Sequence, residues 1–416
     1  MQERYGIDLG TTYSCIAYVD INGEVVIVPN KENCNTTPSV VQYHDKKFVV
    51  GQKAKNTAVR YPEDTVETVK RYMGKENYTV KAGGKRFTPE EISAQILRKL
   101  VDDANTALRK NINDVVITVP AYFGQAERDA TARAAKIAGL NLYKIIDEPT
   151  ASAVSYQYSR GVGLKDEHVL VYDLGGGTFD ISLVHLFANG AIKVERHDGK
   201  KILGGKDWDM IILNYVLEKY AADNDLDVNE LLMDRDLIQS LTIEVENAKK
   251  RLSNKDMAEI AVGDDYVFLT REKFDELTSI KLENTIAIID SMFNEMKEFN
   301  IPIPKISKIL MVGGSTYMPQ VKGRLLEAFP DVEIEQYKPD EAVARGAAIY
   351  AADKAQITIN AFKSYGLFVN NQDVEGDNSL PDIQNPGLYV HNQIIIHSEL
   401  PQKITQEYYT VVDNQK

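Results

Sequence analysis

The alternation of apolar and polar positions divides the chain into short strands, a few amphipathic helices and a final segment of different character. Residues 5–50 predict short strands joined by polar turns. Residues 88–110 predict a helix. Thr88 can cap it, Pro89 suits its first turn, Glu91 completes a capping box, and Ile92, Ile96 and Leu100 share one face. A buried strand from Val115 to Val119 ends at Pro120, and an Ala-rich helix over 125–138 follows. Ile145-Ile146 predicts a strand that runs into Asp147-Glu148-Pro149-Thr150 and another Ala-rich helix. A helix over about 235–253 places Leu237, Leu241, Val245, Ala248 and Leu252 on its inner face. Ile309 to Val312 reads as a buried strand feeding Gly313-Gly314-Ser315-Thr316, and Pro339-Asp340-Glu341 opens a last helix to about Ala352. Beyond it the helical period fades. Ile357-Thr358-Ile359 and Tyr389-Val390-His391 alternate as strands, and 371–387 is a polar loop rich in Asn, Asp and Pro.

One pattern occurs twice. Asp8-Leu9-Gly10-Thr11-Thr12 returns in variant form as Asp173-Leu174-Gly175-Gly176-Gly177-Thr178, 165 residues later. Each copy is flanked by apolar runs, so each predicts a β-hairpin with a glycine- and hydroxyl-rich turn and an acid at its entrance. Such a turn points backbone N–H groups inward and forms an anion-sized nest. Two of them suggest two similar lobes clamping one polyphosphate, with both acids facing a metal ion. Ser159-Arg160-Gly161-Val162-Gly163 reads as the hinge between the halves.

Composition narrows the function classes. The 416 residues suffice for two or three domains, and 44% hydrophobic with 26% charged content is that of a soluble globular protein. No apolar stretch is long enough to span a bilayer, and Met1-Gln2-Glu3-Arg4 lacks the apolar character of a secretory signal. The two cysteines, Cys15 and Cys34, make no disulfide framework and fit a reducing compartment, which places the expectation in the cytoplasm. A net charge of −13 argues against nucleic acid or an anionic membrane as the main partner.

Further residues carry candidate chemistry. Magnesium takes oxygen ligands and keeps several waters, so one or two carboxylates such as Asp8 and Asp173 suffice. Thr11, Thr12 and Thr178 add hydroxyls for phosphate oxygens or an attacking water. Lys70 could offset developing charge, although read alone it is an ordinary surface lysine. Glu148, after a buried strand, could hold a metal-bound water or merely complement a helix dipole. Glu246, Lys249, Lys250 and Ser253 share one helix face, either a platform for an adenosine or a solvated stripe. Gly313-Gly314-Ser315 lets a flat base or sugar approach the backbone, with Asp340 closing the pocket, or is a tight turn.

The strings IDLGTTYSCIA, VITVPAYF, IIDEPTASA, YDLGGGTFDISLV, ILGGKDWD, ENAKKRLS, ILMVGGST and PDEAVARGAA, in this order, resemble the ATPase domain of the seventy-kilodalton heat-shock chaperone family, DnaK type. The resemblance covers about residues 4–352. It implies an α/β, two-lobed, actin-like (ribonuclease-H-like) ATPase fold with a short β-rich C-terminal extension. The expected organisation is an ATPase domain over 1–352, with lobes over about 1–160 and 161–335 and a closing helix over 339–352. A linker over 353–362 and a partial or divergent substrate-binding β-domain over 363–416 follow.

The resemblance also implies roles. Asp8 and Asp173 orient a magnesium shell, with Glu148 also acting largely through water. Gly10, Thr11, Thr12, Tyr13, Gly175, Gly176, Gly177 and Thr178 cradle phosphates. Lys70 and Glu148 position the attacking water, with Asp180 near. Gly204, Gly205, Glu246, Lys249, Lys250, Ser253, Gly313, Gly314, Ser315, Tyr317 and Asp340 enclose the adenosine. Pro120, Arg128 and Lys144 belong to the relay toward a substrate domain. The implied ligands are ATP or ADP with Mg2+, and K+ as an accompanying ion. The implied partners are unfolded polypeptide, a J-domain co-chaperone and a nucleotide-exchange factor.

Several positions depart from the family pattern. Tyr317 replaces a stacking arginine, keeping the flat surface and losing the charge. Gly124-Gln125, Lys144 and Asp147 replace Asn-Asp, Arg and Asn on the surface that meets the J-domain partner and the linker. The leucine-rich acidic linker has only Gln356-Ile357-Thr358-Ile359 in its place, and no helical lid follows. Two rival readings remain: a non-catalytic nucleotide-binding regulator, and a small-molecule kinase of the same superfamily.

Overall fold

The computed structural model describes residues 3–161, 165–360, 365–370, 380–381, 388–394 and 399–400. Both predicted hairpins form, and each nucleates a sheet of the same topology. In the first sheet, β1 (Tyr5–Asp8) pairs antiparallel with β2 (Tyr13–Val19), and β2 with β3 (Val25–Ile27). β4 (Asp114–Val119) and β5 (Asn141–Asp147) add in parallel on the other side of β1. In the second, β6 (Glu167–Leu174) pairs antiparallel with β7 (Phe179–Leu186), and β7 with β8 (Ile192–Lys200). β9 (Ile306–Val312) and β10 (Glu333–Gln336) add in parallel beside β6. The order 3-2-1-4-5 with these pairings thus occurs twice. The duplicated Asp-Leu-Gly turn is the sequence trace of a duplicated α/β architecture, the actin-like fold. The inner parallel strands β4 and β9 carry near-continuous buried apolar runs, over residues 115–119 and 309–312, whereas the edge strands β5 and β10 are more polar.

The helices that matter for the site follow the predicted bounds closely. Pro89–Leu108 carries the Thr88–Glu91 capping box, and Gln125–Ala138 follows Pro120. Arg235–Leu252 buries Leu241, Val245, Ala248 and Leu252. The last helix, Ala342–Ala351, starts later than expected. Lys338 has a positive φ and its carbonyl receives the Glu341 and Ala342 N–H groups, so Pro339-Asp340 forms a turn rather than the first helical turn.

Two helices meet at the centre of the molecule. Glu148–Arg160 leaves the first sheet and packs on the second, where Val154 joins Val169, Val171 and Val184. Ala342–Ala351 leaves the second sheet and packs on the first, where Ala344 and Ala348 join Cys15, Ala17 and Ile27. The contacts are backbone to backbone. A Cβ on Gly346 would lie 1.7 Å from the Ala151 carbonyl oxygen, and one on Gly6 would lie 2.1 Å from the Ala348 nitrogen.

The expected hinge is partly helix. Residues 159 and 160 finish Glu148–Arg160, Gly161 turns the chain at φ 78°, and 162–164 lie outside the described residues. The expected linker is also partly structured. Its alternating segment forms β11 (Ile357–Asn360), which extends the second sheet in parallel beside β8, with Ile192 opposite Ile357. Of the expected β-rich extension, Tyr365–Asn370, Leu380–Pro381 and Leu388–Ile394 form a three-stranded sheet, and Glu399–Leu400 pairs with β11. The polar loop lies outside the described residues except at 380 and 381.

Gly346→Ala is expected to cost about 3 kcal/mol, because the atoms the new methyl would meet are Ala151 backbone and cannot turn away. Urea denaturation should show a lowered midpoint with an unchanged slope. An unchanged midpoint would mean that the two helices do not touch there.

Candidate nucleotide-binding site

The turns of the two hairpins face each other across the base of a cleft. A Cβ on Gly176 would lie 2.2 Å from Thr12 Oγ1, and one on Gly177 would lie 2.4 Å from Thr11 Cγ2. Gly204 is held as closely, since its Cβ would lie 2.6 Å from the Gly177 nitrogen. Glycine is required at these positions by proximity. The Gly205 and Lys206 N–H groups donate to the Gly175 and Gly176 carbonyls at 3.0 and 2.8 Å, tying the second turn to the helix Gly205–Asn224.

Above the turns lies a cavity of about 730 Å³, within the size range of small-molecule sites. At its base Asp8, Gly10, Thr11, Thr12 and Tyr13 from the first hairpin meet Asp173, Gly175, Gly176 and Thr178 from the second. Lys70 and Glu148 complete the base, and Glu246, Lys249, Lys250 and Ser253 line one wall. Gly313, Gly314, Ser315, Tyr317 and Asp340 line another. Gly177, Gly204, Gly205 and Asp180 stand behind this surface, while Pro120, Arg128 and Lys144 do not line it.

Lys70 is buried, not the surface lysine that its sequence alone suggests, and forms an ion pair with Glu148. Its turn, Val69–Tyr72, is entered through Thr68 at φ 54°. A β-branched residue in the left-handed region is strained, and such strain is typical of functional turns. Glu148 begins the helix Glu148–Arg160, where its charge also meets the positive end of the dipole.

The base of the cavity concentrates carboxylates. Burial first, and then the Glu148 charge, push Asp8 up to about 7. Burial, Glu148 and Asp8 raise Asp173, and burial, Glu148 and Asp173 raise Asp180. Asp180 Oδ1 accepts the Ala121 N–H at 2.9 Å, whereas its Oδ2 is buried without a hydrogen-bond partner. The carboxylates that line the base, Asp8, Asp173 and Glu148, are hard oxygen donors in excess of the lysine beside them and suit a hydrated magnesium ion. Asp8 and Asp173 would hold it, with Glu148 reaching its water.

The wall that carries Glu246 has the opposite character. Glu246 meets Lys55 and Lys250 at 2.7 Å and Lys206 at 3.1 Å. Burial raises its pKa, but Lys206, Lys55 and Lys250 outweigh that and hold it far below the usual carboxylate range. The Tyr13 hydroxyl donates to Glu246 at 3.2 Å. Lys249 donates to the Gly205 carbonyl at 2.8 Å and pairs with Asp209 at 2.6 Å. The stripe Glu246-Lys249-Lys250-Ser253 is thus a cavity wall, not a solvated face. Opposite it, Gly313 has φ 83° and lies so near Asp173 that its Cβ would be 2.6 Å from Oδ1. Ser315 Oγ donates to the Gly175 carbonyl at 2.8 Å. Tyr317 is 45% exposed, and burial with its hydrogen bond to Asp340 raises its phenol to about 12, so it stays neutral.

Arg128 donates to the Phe123 carbonyl at 2.9 Å and pairs with Asp147. The negative charge of Asp147 is therefore compensated by Arg128. Lys144 lies over the Tyr143 and Tyr350 rings at 4.9 and 4.7 Å.

Sequence reasoning missed Lys55, Arg71, Lys206 and Asp209. Arg71 joins the halves by donating to the Gly177 carbonyl and pairing with Asp207, both at 2.8 Å. Lys206 and Asp209 lie in the ILGGKDWD string with helical i, i+3 spacing, a usable signal. Lys55 carries no local signal, because its partner Glu246 is 191 residues away.

The pH dependence of stability tests the carboxylate cluster. Folded Asp8 keeps its proton to about pH 7, whereas an ordinary carboxyl loses it near 3.8. The folded state binds more protons across that window, so stability should fall as pH rises through it. Asp8→Asn should flatten this fall and raise the melting point of the metal- and nucleotide-free protein above pH 7 by a few degrees, at about 1 °C per kcal/mol for a chain of this length. Identical pH profiles for both proteins would show that Asp8 ionises as an ordinary surface acid does. Among the described residues no helix is long and apolar enough to cross a membrane. A family model described as Hsp70 protein matches residues 4–358.

Proposed function

Because the chain belongs to the Hsp70 family and is thus a chaperone with an ATP-binding domain, we propose that it binds ATP with magnesium in the cavity and hydrolyses it slowly. Nucleotide state would then govern binding of unfolded polypeptide. The observation that carries this reading is the buried Lys70–Glu148 ion pair, which faces the cavity between Asp8 and Asp173.

The chain's residues divide the chemistry. Backbone N–H groups of the two turns, with the hydroxyls of Thr11, Thr12 and Thr178, receive the phosphates. Glu148 accepts a hydrogen bond from the attacking water and aligns it with the γ-phosphorus. Lys70 offsets negative charge as the bond to the leaving oxygen breaks. A magnesium ion held by Asp8 and Asp173 would supply charge neutralisation at the β- and γ-oxygens. Glu246, Lys249, Lys250 and Ser253 receive the adenosine on one side. Gly313, Gly314, Ser315, Tyr317 and Asp340 receive it on the other.

Asp180 supports a route out of the site. Its carboxylate accepts the Ala121 N–H, next to Pro120, and feels the charges of Glu148 and Asp173. Pro120, Arg128 and Lys144 then form the relay surface, where a J-domain co-chaperone would act, and a nucleotide-exchange factor would reopen the cleft. The cytoplasm is the compartment we assign, with neither nucleic acid nor membrane as a partner.

Lys70→Ala should leave ATP binding intact and slow single-turnover hydrolysis about a hundredfold, equivalent to about 2.7 kcal/mol of barrier. An unchanged rate would remove Lys70 from the mechanism. Tight ATP binding without turnover in either protein would favour a non-catalytic regulator. Coupling has its own equilibrium test. If ATP weakens the affinity for an extended peptide by some factor, the peptide must weaken ATP binding by the same factor. A peptide affinity that does not change with ATP would rule out the coupled reading.

A further inference from the structure

Three metal-ligating side chains converge on the second sheet, at the end remote from the nucleotide turns. His168 lies five residues before Asp173 on β6, about 17 Å along the strand. His168 and His185 are directly opposed across β6 and β7, and their rings stack at 4.1 Å. The third side chain comes from a bulge. Val184 pairs with Val194 but Leu183 pairs with Arg196, so Glu195 is the extra residue on β8. Bulges re-aim side chains, and here Glu195 Oε2 lies 3.4 Å from His168 Nε2 and Oε1 lies 4.0 Å from His185 Nδ1. Among the described residues this is the group of three such side chains whose ligand atoms all lie within 4.8 Å of one another.

We propose that His168, His185 and Glu195 form a binding site for a late first-row divalent transition ion, zinc being the probe of choice, that fastens β6, β7 and β8 together. Two imidazoles and one carboxylate are the donor set of zinc sites that keep a fourth position for water. Bonds of about 2.0–2.1 Å in a tetrahedral arrangement put ligand atoms roughly 3.3 Å apart. The atoms must therefore draw in by less than about 1.5 Å, which χ rotation of partly exposed side chains provides. Nitrogen ligands disfavour magnesium, so the site is chemically separate from the cavity.

The surroundings agree. Asp166 Oδ1 accepts the Ala188 N–H at 2.6 Å, and its Oδ2 lies 4.0 Å from His185 Nε2, the ring nitrogen remote from the metal. A carboxylate behind an imidazole fixes its tautomer and strengthens its donor atom. Phe187 covers the His185 ring at 3.8 Å. Lys193, opposite His185 in register, adds one positive charge against the two carboxylates. The inference is independent of ATP hydrolysis.

Isothermal titration of the full chain with zinc chloride, in buffer containing excess magnesium to occupy oxygen-rich sites, tests it. One saturable equivalent is expected, and cobalt(II) should give the visible d–d bands of a four- or five-coordinate nitrogen and oxygen site. Glu195→Gln should weaken zinc binding by about ten- to a hundredfold, and His168→Ala with His185→Ala should abolish it. Zinc should raise the melting temperature of the native chain and not of the double variant. Glu195→Gln keeps the shape of the side chain and decides the question if the double variant fails to fold. Absence of saturable binding overturns the proposal, as does binding of unchanged affinity in Glu195→Gln.

Discussion

The close approach of two glycine-rich turns sets the geometry of the rest of the molecule. Gly176 and Gly177 stand so near Thr12 and Thr11 that a single added methyl would collide with the opposite turn. This contact brings the ends of β1 and β6 together and forces Asp8 and Asp173 into a common space. It also explains the crowding of acids around Lys70. Two sheets of the same topology each deliver one carboxylate at the same strand position, so a symmetric union places like charges side by side. Such a cluster is costly in the empty protein and makes sense as the receptacle of a cation.

The cavity has two electrical poles. At its base, carboxylates exceed the lysine that faces them, and burial magnifies their mutual repulsion. On the opposite wall one carboxylate, Glu246, is shared among Lys55, Lys206 and Lys250. Those lysines come from three separate stretches of chain, and Lys55 belongs to the first half while Glu246 belongs to the second. With the Arg71–Asp207 pair, the ion pairs span the cleft at two heights, which links its closure to electrostatics as well as to packing.

Much of this was legible in the sequence because it rests on local patterns. The Thr88–Glu91 capping box, the apolar face of Arg235–Leu252 and both Asp-Leu-Gly hairpins are short-range signals, and the fold follows them. The burial of Lys70 was not legible from its neighbours, because it depends on Glu148, 78 residues away. Lys55 and Arg71 were missed for the same reason. The late start of the last helix shows the other limit, whereas the alternation of Ile357-Thr358-Ile359 did predict its strand. Pro339 offers a helix start that the turn at Lys338 overrides, and an alternating Ile-Thr-Ile segment becomes a strand because β8 offers it an edge.

The contact between Gly346 and Ala151 has a mechanical consequence. Helices that interlock through large side chains move past one another in steps, because ridges must leave one set of grooves before entering the next. At the point of closest approach the facing residues are glycine and alanine, with Gly6 against Ala347 and Ala348, while Val154, Tyr156, Val343 and Ile349 pack around it. Where Gly346 meets Ala151 no side chain stands as a barrier to sliding, so resistance to rotation between the two sheets would have to come from the packing around that point and from the ion pairs that join the halves.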